Sequence, residues 1–324
     1  MKSKLKFKRI LEAYKLIQER QLSTPLREHP RASAYFNAKI LVKHEDYNWG
    51  GAFKIRGSAF YIWKNLPFLR KKEGIICATR GNFGIGVILA SKSYNLRPYV
   101  VVPKNNIIEK NQLLKSYGAN LIEYGQDYDE AKEYAQRLSE ENNWFFLSTA
   151  DDPDIIYGAA TVALEIYMQY TDSIDYLIVP IGSGSLVSGC LLVRNALNAS
   201  TKVIGVEPEK ANATYLSWKN GKLTNIDSCE TIADGLATRS TFSLPFEMIQ
   251  SYIDKIFLVS ENEIRNALRL VLNLTGHIVE PASATVFAVL EKYRDMFRNK
   301  NVAVIFTGKN ISKTLLKEIV YNEH

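Results

Sequence analysis

The sequence predicts an α/β fold built on mostly parallel sheets, and three observations predict it. Short β-rich runs alternate with stretches of helical period along the whole chain. Turn residues or a helical pattern follow each run, and no Pro/Gly/Ser-rich linker or low-complexity tract breaks the alternation. Strand, helix, strand units in this order imply sheets covered on both faces, with ligand sites at the carboxyl ends of the strands.

Taken in order, Phe7, Ile10, Leu11, Tyr14 and Ile17 recur at helical spacing and mark an amphipathic first helix. Strands are expected over residues 39–43, 75–78, 99–102 and 120–124, then over 175–180, 202–207, 255–259 and 301–306, with helices between them. A chain of 324 residues accommodates one large or two ordinary domains, and 46% apolar with 23% charged residues is the composition of a core-forming protein. The longest apolar runs, such as residues 176–181, are too short to cross a bilayer, and the basic first residues do not form a secretory signal. The net charge of +7 does not predict nucleic-acid binding, because the 41 Lys and Arg are interspersed with 34 acidic residues. The short basic clusters at residues 2–9 and 70–72 read as solvated faces. Cys77, Cys190 and Cys229 are scattered without a CxxC pair, which argues against a disulfide framework or structural zinc and fits a reducing cytoplasm.

Four loops that follow strands carry unusual residues. In Trp49-Gly50-Gly51-Ala52-Phe53-Lys54-Ile55-Arg56-Gly57 a lysine stands among small and apolar neighbours at a helix start. Burial or a nearby cation, for which Arg56 is the candidate, lowers an amine from about 10.4 and frees it to attack an aldehyde. The ordinary alternative is a surface lysine reaching for water. Ala78-Thr79-Arg80-Gly81-Asn82-Phe83-Gly84 turns from strand to helix and brings backbone N–H groups and an amide beside any anion there, although Gly-Asn is also a common turn. Pro180-Ile181-Gly182-Ser183-Gly184-Ser185-Leu186 has an unhindered backbone suited to a phosphate. Val187 breaks a GxGxxG fingerprint, which disfavours a nicotinamide oxidoreductase, and no GK[ST] is present for a P-loop. Phe306-Thr307-Gly308-Lys309-Asn310 places a hydroxyl after the last strand; on its own it reads as a helix cap.

Together these segments resemble the fold-type II pyridoxal-phosphate (PLP) enzymes, specifically the serine/threonine dehydratase and serine racemase branch. Lys43-His44-Glu45-Asp46 leading into Ala52-Phe53-Lys54-Ile55-Arg56-Gly57 is similar to that branch's K-x-E-[DN] and S-F-K-x-R-G segments. Gly81-Asn82 matches its S-G-N-H loop, Gly182 to Ser185 its glycine run, and Thr307 its residue at the pyridine nitrogen. The similarity runs from Thr24-Pro25-Leu26 through Thr231-Ile232-Ala233-Asp234-Gly235 and Glu280-Pro281-Ala282 to Gly308-Lys309-Asn310.

The resemblance implies a tryptophan-synthase-β-like fold of two three-layer α/β/α domains: residues 1–68 and 150–324 as the large PLP-binding domain, and residues 69–149 as the small one. It implies Lys54 as the Schiff-base lysine and catalytic base. Phe53, Asn82, Gly182, Ser183, Gly184, Ser185, Gly235, Glu280 and Thr307 would be further cofactor-binding residues, and Thr79, Arg80, Gly81 and Asn82 would receive the substrate. The implied activity is elimination of water and ammonia from a small 3-hydroxy amino acid such as L-threonine or L-serine. A hydroxyl at Thr307, in place of a carboxylate, favours elimination over transamination. A homodimer is also implied. Related readings are a hydroxyaspartate or phenylserine dehydratase, a β-replacement enzyme, a racemase, or a silent PLP-binding protein.

Several residues depart from the pattern. Arg80 stands where racemases of this branch carry the opposite-face serine acid. It is a candidate catalytic position, but a guanidinium is a poor proton relay, so little racemase activity is expected and a carboxylate clamp is the alternative role. Phe83 replaces a histidine, and Ser183 and Ser185 interrupt the glycine run. Glu207 and Ala211 match the branch's metal-binding segment, but Ala213 takes the aspartate's place, so no metal is expected. The chain ends soon after the Thr307 loop, so feedback inhibition by isoleucine is not expected either.

Overall fold

The computed structural model of the chain describes residues 6–321; residues 2–5 of the first basic cluster fall outside this range. Its strands are β1 (Leu26–Glu28), β2 (Lys39–His44), β3 (Gly74–Ala78), β4 (Pro98–Val102), β5 (Asn120–Glu123), β6 (Trp144–Phe146), β7 (Tyr176–Pro180), β8 (Lys202–Pro208), β9 (Lys255–Val259) and β10 (Asn301–Phe306). They form a six-stranded sheet in the order β1-β2-β10-β7-β8-β9 and a four-stranded sheet in the order β5-β4-β3-β6. Every pairing is parallel except β1 with β2. The eight expected strands are present within a residue or so of their expected ends. β1 and β6 were not expected: each has only three residues, too few to display a period.

Alternating side chains explain the three layers. On β2, β7, β8 and β10, Leu41, Leu177, Val179, Val203, Ala303 and Ile305 enter one apolar cluster. Ile40, Val42, Ile178, Ile204, Val206, Val302 and Val304 enter another on the opposite face. The smaller sheet divides likewise, Ile75, Cys77, Val100 and Val102 from Ile76, Ala78 and Val101. Both faces of each sheet are therefore buried, as parallel sheets require. The first helix, Phe7–Glu19, buries Ile10, Ala13, Leu16 and Ile17, whereas Leu11 is 48% exposed and lies off the expected stripe.

The helix Lys54–Lys64 is set by its neighbour Pro153–Gln169. A Cβ at Gly158 would lie 2.5 Å from the Arg56 carbonyl oxygen and 2.6 Å from Gly57 Cα, so only hydrogen fits where the two backbones meet. Gly158→Val is expected to cost about 3 kcal/mol, the upper end for overpacking, because backbone atoms cannot move aside as a side chain would. The urea midpoint measures this, and an unchanged midpoint would show that the helices separate freely.

Between these helices and the larger sheet lies a buried ionic group. Arg56 Nε and Nη2 donate to the two Glu45 oxygens at 2.7 and 2.8 Å, and Nη1 and Nη2 to the two Glu165 oxygens at 2.8 Å each. Lys43 Nζ donates to Glu165 Oε2 at 2.6 Å and to the Thr24 carbonyl at 2.5 Å. Two cations face two carboxylates, so charge balances without water. Arg56 is wholly engaged here, which corrects the expectation that it lowers the Lys54 amine.

Candidate active site

Because β2, β7 and β10 run parallel in one sheet and β3 runs parallel to its neighbours in the other, the four singled-out loops leave carboxyl ends and converge. The cleft between the sheets holds about 760 Å³ open to solvent and is lined by Phe53, Lys54, Thr79, Arg80, Gly81, Asn82, Gly182, Ser183, Gly184, Ser185, Gly235, Glu280 and Thr307. All thirteen candidate residues for cofactor or substrate line it.

Lys54 opens its helix and reaches into the cleft. Its Nζ lies 3.0 Å from Ser183 Oγ, 3.1 Å from Thr149 Oγ1 and 3.5 Å from Ser185 Oγ, with the Phe53 and Phe83 ring centroids at 5.0 and 5.9 Å. Burial in this neutral setting lowers the ammonium to about 8, with Glu280 opposing the shift.

Backbone bonds lock the first and fourth loops together. Phe53 N–H donates to the Thr307 carbonyl at 3.0 Å and Lys309 N–H to that of Gly51 at 2.9 Å. Asn310 Nδ2 divides its protons between the Gly50 carbonyl and Asn82 Oδ1, both at 2.8 Å. Asn82 Nδ2 in turn donates to both Glu280 oxygens, at 2.9 and 2.7 Å. Glu280 is buried, and burial raises its carboxyl above the usual range; Lys110 opposes this and Asp234 adds to it. Thr307 Oγ1 lies 3.0 Å from Ser283 Oγ, whose own proton goes to the Gly308 carbonyl at 2.8 Å, and 3.4 Å from Glu280 Oε1.

The third loop is shaped by close packing. A Cβ at Gly182 would meet the Gly235 carbonyl oxygen at 2.7 Å, and Gly184 has φ +87° at the N-cap of the helix Ser185–Ala196. No side chain caps that helix, so its first N–H groups face the cleft as an electropositive start. In the second loop, Thr79 Oγ1 accepts the N–H of Gly81 at 2.9 Å and of Gly84 at 3.2 Å, so Thr79 holds the loop's curve from within. Among the described residues Arg80 has no ion-pair partner, and its Nε is buried with no hydrogen-bond acceptor.

Sequence reading assigned no role to several residues found here. Thr149 follows β6, and leaving that strand unread concealed a fifth post-strand loop. Lys110, on the helix Ile108–Ser116, binds Asp234 Oδ2 at 2.5 Å across the cleft, and nothing around it forms a recognisable motif. Tyr128 lines the wall, and Ser283 touches Thr307 from behind the cleft lining.

Glu207 lies apart from this group. Its carboxylate accepts the N–H of Thr214 at 3.3 Å and of Tyr215 at 2.6 Å at the start of the helix Ala213–Asn220. Burial pushes it up to about 8 against those bonds. Among the described residues, no three His, Cys, Asp or Glu side chains are arranged to hold a metal ion.

Comparison with known proteins agrees with this geometry. The chain is 31% identical over 312 residues to the L-threonine ammonia-lyase of Thermotoga maritima, covering 96% of this chain and 77% of that one. It is 31% identical over 298 residues to the biosynthetic L-threonine dehydratase of Pasteurella multocida, covering 91% of this chain and 58% of that protein's length. Among solved structures, maize serine racemase superposes with a TM-score of 0.89 at 27% identity, over 98% of this chain and 97% of that one. The family model described as pyridoxal-phosphate dependent enzyme matches residues 17–308, and the chain belongs to that family.

Proposed function

We propose that this protein eliminates water and ammonia from a small 3-hydroxy amino acid, such as L-threonine or L-serine, to give a 2-oxo acid. The observation that carries the reading is a lysine amine of lowered basicity, facing hydroxyls and an uncapped helix start in one cleft. These residues fit PLP. Lys54 would hold its aldehyde carbon, the backbone and hydroxyls of residues 182–185 its phosphate, Asn82 its ring hydroxyl, and Thr307 its ring nitrogen. When bound, the cofactor supplies an electron sink for the charge left as the α-proton departs.

The protein's own contributions follow from placement. Lys54 Nζ, once free of the cofactor, is the base that takes the α-proton. The loop from Thr79 to Asn82 orients the substrate carboxylate. Thr307, whose hydroxyl carries no charge, would offer the ring nitrogen a neutral partner, which suits elimination of the β-hydroxyl over transamination. A homodimer in a reducing cytoplasm is part of the same proposal, in keeping with the free thiols of Cys77, Cys190 and Cys229. So is the division into residues 1–68 with 150–324 and residues 69–149, which limited proteolysis near residues 68 and 150 tests.

The deciding experiment is ketoacid and ammonia release from L-threonine and L-serine by the PLP-loaded enzyme. Absence of both products, with the cofactor bound at Lys54, would mark a silent binder. Basicity gives a second check. The neutral amine is the attacking form, so cofactor capture by the ligand-free protein should rise with pH to half its maximum near 8. Stopped-flow absorbance reads the rate. A midpoint near that of a free lysine, about 10.4, would mean the amine is not tuned.

A further inference from the structure

We infer that Arg80 selects a substrate with a second acidic group, so that the preferred 3-hydroxy amino acid is a four-carbon dicarboxylate. This rests on the elimination reading above and narrows its substrate class.

Charge accounting in the cleft leads there. Asp234 is neutralised by Lys110 at 2.5 Å, and Glu280 receives both amide protons of Asn82. Lys54 is surrounded by hydroxyls and is committed to the aldehyde. Among the described residues, Arg80 alone of the cationic side chains lining the cleft combines the lack of an acidic partner with a buried nitrogen, its guanidinium Nε, that has no hydrogen-bond acceptor. It is half-buried, with Nε shut off from water, so the desolvation of that nitrogen is uncompensated until an acceptor arrives. A planar guanidinium with adjacent N–H donors matches a carboxylate in bidentate fashion.

The substrate's α-carboxylate does not account for it. In the proposed function that group lies along the 79–82 loop and the start of the helix Asn82–Lys92, where backbone donors suffice. A neutral side chain such as the methyl of threonine would leave the guanidinium unanswered, whereas a β-carboxylate would complete it.

The chemistry balances without an oxidant. The Cα–H and Cβ–O bonds break and hydroxide leaves as water. The released enamine takes up water and loses ammonia, so a 3-hydroxy dicarboxylic amino acid becomes a 2-oxo diacid plus ammonia.

The test separates this inference from the one beneath it. Succinate and butyrate, which differ by one carboxylate and cannot react, are titrated by calorimetry into the PLP-loaded protein. Succinate should bind about 10- to 100-fold more tightly, the usual worth of a charge-assisted contact, and Arg80→Gln should abolish the difference. In kinetics, the ratio of kcat/KM for 3-hydroxyaspartate to that for L-threonine should exceed one and fall about 10- to 100-fold in Arg80→Gln. Equal binding of the two probes by an enzyme that still converts threonine would overturn the inference alone. A preference for succinate that survives Arg80→Gln, or appears only without the cofactor, would also overturn it. If borohydride fixes no cofactor to Lys54, the underlying reading fails instead.

Discussion

Replacing Lys54 with alanine is expected to lower turnover by roughly 10⁴-fold, the scale of losing a positioned base, and to leave a protein that cannot be labelled by borohydride. Two functions end together. The amine no longer anchors the aldehyde carbon, and the other cationic side chains lining the cleft do not replace it: Lys110 is tied to Asp234, and a guanidinium such as that of Arg80 is a poor nucleophile and base. Folding should be preserved, because the Lys54 side chain leaves the core and its partners Thr149, Ser183 and Ser185 all face the cleft. Near-native circular dichroism with no imine absorbance is therefore the expected result. Retained turnover above one-hundredth of normal would show that the base resides elsewhere.

Arg56→Met should act in the opposite way, on stability before chemistry. The guanidinium satisfies Glu45 and Glu165 inside the protein, and removing it leaves two buried carboxylates with Lys43 as their remaining cation. Breaking such a group costs about 3–5 kcal/mol, a large share of the ~5–15 kcal/mol that holds a typical domain folded. Burial works against the Glu165 carboxylate, yet the bonds and charges of Arg56 and Lys43 outweigh it and hold that group down to about 2. A carboxylate depressed on folding stabilises the native state above its unfolded value, 4.5 here, and loses that contribution as pH falls toward 2. The gap between wild type and Arg56→Met should therefore be widest at neutral pH and shrink below pH 4.5. Urea titrations at pH 7 and pH 4 would measure it, and a gap that widens in acid would contradict the ionic account.

Much of the architecture was legible in the sequence because fully buried parallel strands are continuous apolar runs bounded by turns. Ile75 to Ala78 and Val302 to Phe306 are of this kind. The cleft was legible for a related reason: parallel strands deliver their trailing loops to one side, which drew attention to Lys54, Asn82, Ser183 and Thr307, while their roles came from the resemblance of the four segments taken together. What escaped depends on tertiary contact. Trp144 to Phe146 is too short to show alternation, and Thr149 was missed along with it. Lys110 and Asp234 are distant in sequence, and neither indicates the other until the sheets are placed. Arg56 was assigned a part in tuning Lys54 because it is two residues away, but on a helix that spacing turns side chains to different faces.

The position of β10 in the middle of the larger sheet, between β2 and β7, has a consequence for how the protein is made. β10 is synthesised after all nine other strands, so the facing edges of β2 and β7 wait without their partner while the smaller sheet, drawn from one contiguous stretch of chain, is already able to close. A nascent chain halted before residue 301 would present two apolar strands with unfilled hydrogen bonds, a species suited to chaperone capture and prone to aggregate. Heat-shock induction and low soluble yield are thus expected of any translation arrest upstream of that point, even though every cleft-lining residue except Thr307 would already have been made.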